Sequence, residues 1–375
     1  MSAIDWITVK GLRSIKSIEK LELRPINVLI GPNGAGKSNL LHVFSLLNAI
    51  SDGQFQNYIS RSGGANRVLY FGAGTTQHLT IHISFENEKY RYEIKFDADD
   101  FDGMYPSDEN AAYWDKERCP NQPYKEPLIG RAGEAGIRIP HRRSQAISGV
   151  RSHLMRWRVY HFHDTSSTSP LRTISYQSDN RCLRADGSNL ASLLFRLREK
   201  HENYYDLILR TVRLVVPFFV LELFTLKRDK IRLEWRHDGN DNYFDAHSLS
   251  DATLRFIALA TLLLQPRRLR PTVILLDEPE LGLHPSTIAI LASLIKQASV
   301  ETQIVLATQS SLLLDHFDPD DVLVTNRVEG ATQFTRLEGE KLKNWLKDYR
   351  LGELWEKNHF GGRPAPESEN RRAPQ

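Results

Sequence analysis

The chain has 375 residues, 41% of them hydrophobic and 25% charged, a composition typical of a soluble protein with one large domain or two smaller ones. Its longest apolar stretches, such as Phe256–Leu264, are about half as long as a bilayer span requires, and the N-terminus shows no basic start followed by an apolar run. A membrane span and a secretion signal are therefore not expected. The only cysteines are Cys119 and Cys182, which argues against a disulfide scaffold and a zinc site and favours a cytoplasmic location.

The net charge of +3 is too small to indicate nucleic-acid binding, but positive charge is concentrated in residues 131–158. This basic segment contains a single acid, Glu134, among the residues Arg131, Arg138, His141, Arg142, Arg143, Arg151, His153, Arg156 and Arg158. Such a block can bind a phosphate backbone or an acidic partner. The alternative interpretation is a solvated, mobile loop, which is what most charge runs are.

The first part of the chain is predicted to contain strands, a helix and a hairpin. In chain order these are strands over Ile4–Val9, Ile18–Leu23 and Ile26–Ile30, a helix over Lys37–Leu47, and hairpin strands over Leu79–Phe85 and Tyr90–Phe96. The helix has apolar residues at helical spacing, whereas the hairpin strands alternate apolar and polar residues. A simple Rossmann-type fold would not have an antiparallel layer at this point.

Residues 97–150 show weak periodicity and are rich in Asp, Gly, Pro and Arg, which predicts a partly mobile insertion. The elements predicted after it are helices over Leu190–Leu197 and Tyr204–Leu214, a hairpin of Val220–Lys227 and Ile231–Arg236, and then helix, strand, helix and strand over Leu254–Leu264, Thr272–Leu276, Pro285–Gln297 and Gln303–Ala307. This last alternation predicts a parallel sheet with helices on its faces.

We therefore divide the chain into four parts. An N-terminal lobe comprises residues 1–96, an insertion 97–216 with the basic loop followed by helices, and a C-terminal lobe 217–360. The Gly/Pro/Arg-rich tail, residues 361–375, is expected to be disordered.

The segment Gly31–Ser38 reads GPNGAGKS and matches the pattern G-x-x-x-x-G-K-[ST] between a predicted strand and a predicted helix. Its glycines allow the backbone to wrap an anion with N–H groups pointing inward, and the following helix adds its positive end. Lys37 is expected to contact the β- and γ-phosphates, and Ser38 to bind Mg²⁺. The nucleotide-binding residues predicted here are Asn33, Gly34, Ala35, Gly36, Lys37, Ser38 and Asn39. The sequence thus predicts an ATP site.

A buried-strand pattern ending in carboxylates, Val273–Glu280, is the second candidate element of the site. In a parallel sheet, ligands lie beyond the carboxyl ends of the strands. Asp277 is placed there to hold the magnesium ion or its water, and Glu278 to polarise the water that attacks the γ-phosphate. A strand that merely ends in a polar turn would explain one of these acids but not the pair. Glu280 has no defined role beyond capping or pairing.

Together these motifs resemble the ABC-type ATPases of the RecF/SMC/OLD branch, in particular small AAA-like ATPases. The matching segments are Val9–Ser14, Ile30–Leu41, Leu249–Phe256, Leu275–Pro285 and Val305–Ser310. The resemblance implies an α/β P-loop NTPase with an ABC-type head, a mixed sheet, an antiparallel β subdomain and a helical or irregular insertion.

The resemblance also implies that Leu249–Thr253 is a signature motif that completes the nucleotide site of a second subunit, in a two-fold dimer or higher oligomer. Ser250 and Asp251 would then contact nucleotide, since Ser250 is a good N-cap for a helix that aims its N–H groups at a γ-phosphate. Arg13 would approach the nucleotide from the opening motif. Gln309 falls where many relatives have a switch histidine; it can hydrogen-bond but cannot carry a proton.

Two features depart from the family pattern or stay unassigned. Ala252 occupies a position that is usually glycine, which together with Gln309 suggests slow hydrolysis. The glutamine loop of the family cannot be placed. His161, His163 and Asp164 suggest a metal site only weakly, because a polar strand end is the commoner explanation. His284 precedes Pro285 and suits the start of a helix.

The favoured functional hypothesis is an ATP-driven switch in DNA maintenance or antiviral defence. OLD-type relatives carry a nuclease domain, and the residues after Gln309 contain no second acidic cluster of that kind, so an effector chain is expected as a separate partner. The alternatives are a nucleotide-gated scaffold with little turnover and, less favoured, the ATP subunit of a transporter.

Overall fold

The computed structural model describes residues 4–139 and 144–362, which form two six-stranded sheets, a smaller third sheet and the helices that pack on them. The strands are β1 (Ile4–Leu12), β2 (Ile15–Glu22), β3 (Ile26–Ile30), β4 (His78–Phe85), β5 (Tyr90–Ala98), β6 (Met104–Tyr113), β7 (Tyr124–Pro127), β8 (Trp157–Tyr160), β9 (Ser175–Tyr176), β10 (Phe219–Leu226), β11 (Lys230–His237), β12 (Tyr243–Asp245), β13 (Val273–Asp277), β14 (Gln303–Thr308), β15 (Val322–Val328) and β16 (Ala331–Arg336).

The helices pack on all three sheets. They are α1 (Lys37–Ser51), α2 (Phe55–Ser62), α3 (Ala65–Val68), α4 (Gln145–Leu154), α5 (Leu190–Lys200), α6 (Glu202–Val215), α7 (Asp251–Leu264), α8 (Pro285–Ser299), α9 (Ser311–Leu314), α10 (Gly339–Leu342) and α11 (Leu351–Glu356). The predicted strands, helices and hairpins are confirmed, with ends that differ by a few residues. Within residues 4–139 and 144–362, no helix is both long enough and apolar enough to cross a bilayer.

The central sheet has the strand order β16-β15-β3-β14-β13-β8, in which only the β15–β16 pair is antiparallel. The strands β3, β13 and β14 are almost wholly buried, as expected for a parallel sheet covered on both faces. Alternate residues therefore enter two separate cores. Leu275 packs with α1 on one face, whereas Ile274 and Leu276 pack with α7 and α8 on the other.

The antiparallel sheet has the order β2-β1-β4-β5-β6-β7, and the small sheet joins β10, β11 and β12 with β9 paired to β11. The expected mixed sheet and antiparallel β subdomain are therefore confirmed. Helices α5 and α6 pack together, and α6 contacts α7. The last strand of the small sheet, β12, comes shortly before α7 in the chain.

Residues 97–139 are more regular than their composition suggests, because β6 and β7 extend the antiparallel sheet. The sequence signal is weak because a buried position of β6 is occupied by a charged residue. The Glu109 carboxylate is 3% exposed and accepts hydrogen bonds from the hydroxyl of Tyr92 and the N–H groups of Gly136 and Ile137. A fully satisfied buried carboxylate replaces the apolar residue that periodicity would detect.

The side chain of Gln303 joins the two large sheets. It is 4% exposed and forms a pair of 2.9 Å hydrogen bonds with the N–H and carbonyl of Ile4, and it also donates to the carbonyls of Leu23 and Arg24. Because Ile4 and Leu23 are buried, their main-chain groups need a protein partner, and the amide fixes the start of β1 against the start of β14.

We expect Gln303→Leu to destabilise the fold by about 2–3 kcal/mol, since buried main-chain groups lose their partners while the side-chain volume is kept. Guanidinium unfolding measures the loss. Gln297→Leu, on the exposed side of α8, is the matched control and should unfold close to the wild type. Equal midpoints for wild type and Gln303→Leu would contradict this role.

Candidate nucleotide-binding site

The glycine loop lies at the carboxyl end of β3 and leads directly into α1. Gly36 is the N-cap of α1 with φ of 108°, and a Cβ at this position would lie 2.0 Å from Oγ1 of Thr332. A Cβ on Gly31 would lie 2.3 Å from the carbonyl of Thr325. Only glycine fits at either position, so the loop keeps close contact with β15 and β16 while its N–H groups stay free of side chains.

Lys37 is buried within this loop, at 5% exposure. Its ammonium donates to the carbonyl of Gly31 at 2.7 Å and to the next carbonyl at 3.0 Å. Burial lowers the pKa of Lys37, and the negative charges of Glu278, Asp277 and Glu280 act in the opposite direction. The loop therefore encloses a cation on which the carboxylates at the end of β13 and just after it act.

Asp277 ends β13 and lies next to the start of α1. The hydroxyl of Ser38 is 3.5 Å from Oδ1 of Asp277, a contact too long to be a strong hydrogen bond. Helix α1 contacts both β13 and β8, so it spans the sheet from β3 toward the acidic strand end. A hydroxyl and a carboxylate oxygen facing each other are the hard ligands that Mg²⁺ prefers, so these residues fit the ion that the fold implies.

Glu278 and Gln309 lie side by side at the ends of β13 and β14. The Gln309 amide donates to Oε1 of Glu278, and the N–H of Glu278 donates to the carbonyl of Ala307 at 2.8 Å. Glu278 has φ of 40°, in the left-handed region that non-glycine residues rarely adopt. The backbone turn and the amide together fix the position of the Glu278 carboxylate beside Gln309.

Glu280 is buried and accepts a hydrogen bond from the hydroxyl of Thr308. Burial raises the pKa of Glu280, and the hydrogen bond from Thr308 opposes that effect. The Thr308 hydroxyl in turn accepts from the N–H of Ser310 at 2.9 Å. Glu280 therefore links the turn after β13 to the turn after β14, a structural part that the sequence left undefined.

A hydroxyl network positions the glycine loop from the opposite side. Asn39 donates to the Ser14 hydroxyl at 2.6 Å, and Ser14 is 2.6 Å from the Thr332 hydroxyl, which donates to the carbonyl of Ala35 at 2.8 Å. Ser14 belongs to the turn between β1 and β2, and Thr332 to β16. Sequence reasoning missed Thr332, because no local pattern marks a threonine that reaches the loop from 297 residues away.

Arg13 adopts φ of 49° in the turn between β1 and β2. Burial lowers the pKa of His42 to about 4, and the positive charge of Arg13 acts in the same direction. A cleft of about 520 Å³ begins at this turn; it is lined by Arg13, Ser14, Asn66, Arg67, Leu69, Phe71, Gly72, Arg327 and Gly330. Since Ser14 contacts Asn39, the cleft opens beside the first turn of α1.

Ser250 and Asp251 begin α7 on an exposed surface. The Ser250 hydroxyl accepts from the N–H of Thr253 at 3.2 Å and thus caps the helix. Asp251 forms an ion pair with Arg172, with 2.7 Å between Oδ1 and Nη2. In the described part of the chain, neither residue has a hydrogen bond or ion pair to the glycine loop of its own subunit.

Of the two histidines after β8, His161 and His163, the second contacts the acidic strand end. Nε2 of His163 is 2.6 Å from the carbonyl oxygen of Asp277, so this imidazole supports the end of β13. Across residues 4–139 and 144–362, no three side chains of His, Cys, Asp or Glu are close enough together to hold a metal ion on their own. His284 caps α8 through a 3.3 Å hydrogen bond between its Nδ1 and the N–H of Ser286.

The basic segment 131–158 is divided among several elements, and its residues His141, Arg142 and Arg143 lie outside the described ranges. Arg131 and Arg156 are exposed, whereas Arg158 donates to the carbonyls of Met155 and Trp157. Some of its arginines therefore stabilise local turns and others face solvent.

The fold and the loop together define a P-loop ATPase head of ABC type. The chain belongs to the family described as "AAA domain, putative AbiEii toxin, Type IV TA system", which matches residues 26–315. This match and the fold confirm the resemblance to ABC-type ATPases of the RecF/SMC branch.

Solved structures of SMC head domains share this fold. An SMC head bound to the C-terminal winged-helix domain of ScpA superposes with a TM-score of 0.60 at 14% identity, covering 91% of this chain and 99% of that chain. A Pyrococcus furiosus SMC head with an extended coiled coil, bound to the C-terminal domain of ScpA, gives a TM-score of 0.54 at 14% identity, covering 93% and 99%. No curated protein sequence matches the chain significantly.

We expect Thr332→Val to weaken ATP binding roughly fivefold to tenfold, because the Ala35 carbonyl and the Ser14 hydroxyl lose their shared partner and the loop loosens. Titration with a fluorescent ATP analogue measures the change. Thr335→Val, exposed on the same strand β16, is the control and should bind as the wild type does. Equal affinities for the two variants would show that the network does not shape the loop.

Proposed function

We propose that the chain binds ATP with Mg²⁺ at the glycine loop and hydrolyses it. The observation that carries this proposal is the approach of Ser38 to Asp277. The negative charges of Asp277, Glu278 and Glu280 also act on the buried ammonium of Lys37. Backbone N–H groups of Asn33–Asn39 would surround the β- and γ-phosphates, with Lys37 as the mobile charge among them. The open cleft beside Arg13 leaves room for the rest of the nucleotide.

In this proposal Ser38 and Asp277 would hold the Mg²⁺ ion, which would supply charge stabilisation for the transferred phosphoryl group. Glu278 accepts a proton from the attacking water, and Gln309 orients the Glu278 carboxylate through the hydrogen bond that joins them. Because the Gln309 amide cannot act as an acid or a base, it positions Glu278 without taking up the proton itself. Slow turnover is the expected consequence.

The exposed start of α7 supports a two-fold dimer in which each chain completes the other's site. Ser250 caps a helix whose first N–H groups and positive end suit a γ-phosphate. Among the described residues of its own subunit, Ser250 has no hydrogen bond to the glycine loop that would hold such a phosphate. A nucleotide held between two copies would link them. ATP would then act as the signal that closes the dimer.

The biological role we propose is a nucleotide-driven switch in DNA maintenance or antiviral defence with a separate effector chain. The family described as an AbiEii-type AAA domain and the fold shared with SMC heads support this role. Nucleic acid would contact the exposed arginines of residues 131–158. A nucleotide-gated scaffold with little turnover is the second candidate, favoured by the Gln309–Glu278 pair.

We expect Glu278→Gln to bind ATP with near-wild-type affinity, to hydrolyse it at least about 100-fold more slowly, and to dimerise more stably with ATP, because the water loses its base. Phosphate release and sedimentation in the presence of ATP and Mg²⁺ measure both effects. Glu301→Gln, exposed after α8, is the control. An unchanged rate would remove Glu278 as the base, and ATP binding without turnover in the wild type would favour the scaffold.

We expect the double variant Arg131→Gln, Arg156→Gln to bind duplex DNA more weakly and to lower the slope of log affinity against log salt by about two, since each lost phosphate contact removes about one unit. Fluorescence anisotropy at several salt concentrations measures this. Arg210→Gln, Arg228→Gln is the control, because both residues are exposed elsewhere. Identical slopes for both double variants would exclude the basic segment as the nucleic-acid contact.

A further inference from the structure

The buried residue Arg172 connects the segment after β8 to the start of α7. It is 8% exposed, although it lies in a stretch of mostly exposed polar residues. Its guanidinium donates to the carbonyls of Thr165, Ala246 and Leu249 and to the carboxylate of Asp251. Every guanidinium nitrogen is therefore used, and the charge is directed toward Asp251.

Asp251 poses an electrostatic problem for the proposed function. As the first residue of α7 it places a carboxylate, 63% exposed, at the helix end that a phosphate of the second copy would approach. A negative charge at a helix N-terminus is stabilised by the helix, but it competes with and repels a second anion. An uncompensated Asp251 would thus oppose the contact that Ser250 is placed to make.

The Arg172 guanidinium removes this conflict, because it bonds Oδ1 of Asp251 at 2.7 Å from the buried side. A charge-assisted hydrogen bond with this buried cation draws Oδ1 of the exposed carboxylate toward the protein and offsets its negative charge. We propose that Arg172 is a positioning residue that neutralises Asp251 and so allows the N-terminus of α7 to accept the phosphate of a nucleotide bound to a second copy. This inference rests on the proposed ATP-dependent dimer.

Arg255 holds the same turn of α7 independently of Arg172. It is 5% exposed and donates to the carbonyls of Phe162 at 2.9 Å, His163 at 3.2 Å and also Leu281. Removing Arg172 therefore leaves α7 fixed to the segment after β8 and to the turn after β13. The loss should act mainly through the uncompensated charge of Asp251.

The test uses the full chain carrying Glu278→Gln, so that ATP is retained. Sedimentation with ATP and Mg²⁺ measures self-association, and a fluorescent ATP analogue at low protein concentration measures binding to the single subunit. Arg172→Met should weaken self-association roughly tenfold while single-subunit binding changes less than about twofold. Adding Asp251→Asn to Arg172→Met should restore association to within a few-fold, because the repelling charge is gone.

Asp251→Asn alone keeps the hydrogen bonds of Arg172 to main-chain carbonyls. It should tighten self-association several-fold, because the positive charge of Arg172 is then no longer offset near the phosphate. This variant tests the inference even where Arg172→Met folds poorly. The matched control is the exposed ion pair of Arg184 and Asp179, 2.8 Å apart, whose Met and Asn variants should leave association unchanged.

Normal association of Arg172→Met would overturn the inference. So would a loss that Asp251→Asn does not rescue, because Arg172 would then be a structural residue only. A failure of Asp251→Asn alone to tighten association would contradict it as well. If the Glu278→Gln protein itself stays monomeric with ATP, the proposed dimer is wrong, and the inference falls with it.

Discussion

The approach of the glycine loop to the acidic end of β13 is the constraint on which the rest of the site depends. Strand β14 lies between β3 and β13, so the loop and the acids begin two strands apart, roughly 10 Å. Helix α1 bridges this gap, because it starts at Lys37 and contacts β13 and β8. Ser38, in the first turn of α1, thereby meets Asp277. A parallel sheet with a helix crossing one face is what makes the meeting possible.

The charges in this region consist of one buried ammonium and the carboxylates that act on it. Burial favours the neutral forms of both Lys37 and Glu280, whereas Asp277 and Glu278 stabilise the ammonium of Lys37. Glu280 is tied to Thr308, whereas Asp277 lies beside Ser38 at the start of α1. A triphosphate with its divalent cation fits a cradle of backbone N–H groups, one ammonium and two carboxylates.

Local patterns in the sequence predict most of what forms this site, because its main parts are short and contiguous. The glycine loop, the apolar run before Asp277 and the alternating hairpin of β4 and β5 each have a physical signature within one short contiguous segment of the chain. Parts that depend on distant residues could not be found in this way. Thr332 reaches Ala35 across the fold, Arg172 reaches Asp251, and Glu109 occupies a core position that periodicity expects to be apolar.

The central claim is tested most directly by the magnesium dependence of ATP binding. Calorimetry measures this dependence for the wild type and for Asp277→Asn, with either Mg²⁺ or a chelator present. If Ser38 and Asp277 hold the ion beside the loop, Mg²⁺ should strengthen ATP binding to the wild type, and most of that gain should vanish in Asp277→Asn, while binding without metal stays similar. An equal gain from Mg²⁺ in both proteins would contradict the account, because the acidic strand end would then have no part in the nucleotide site.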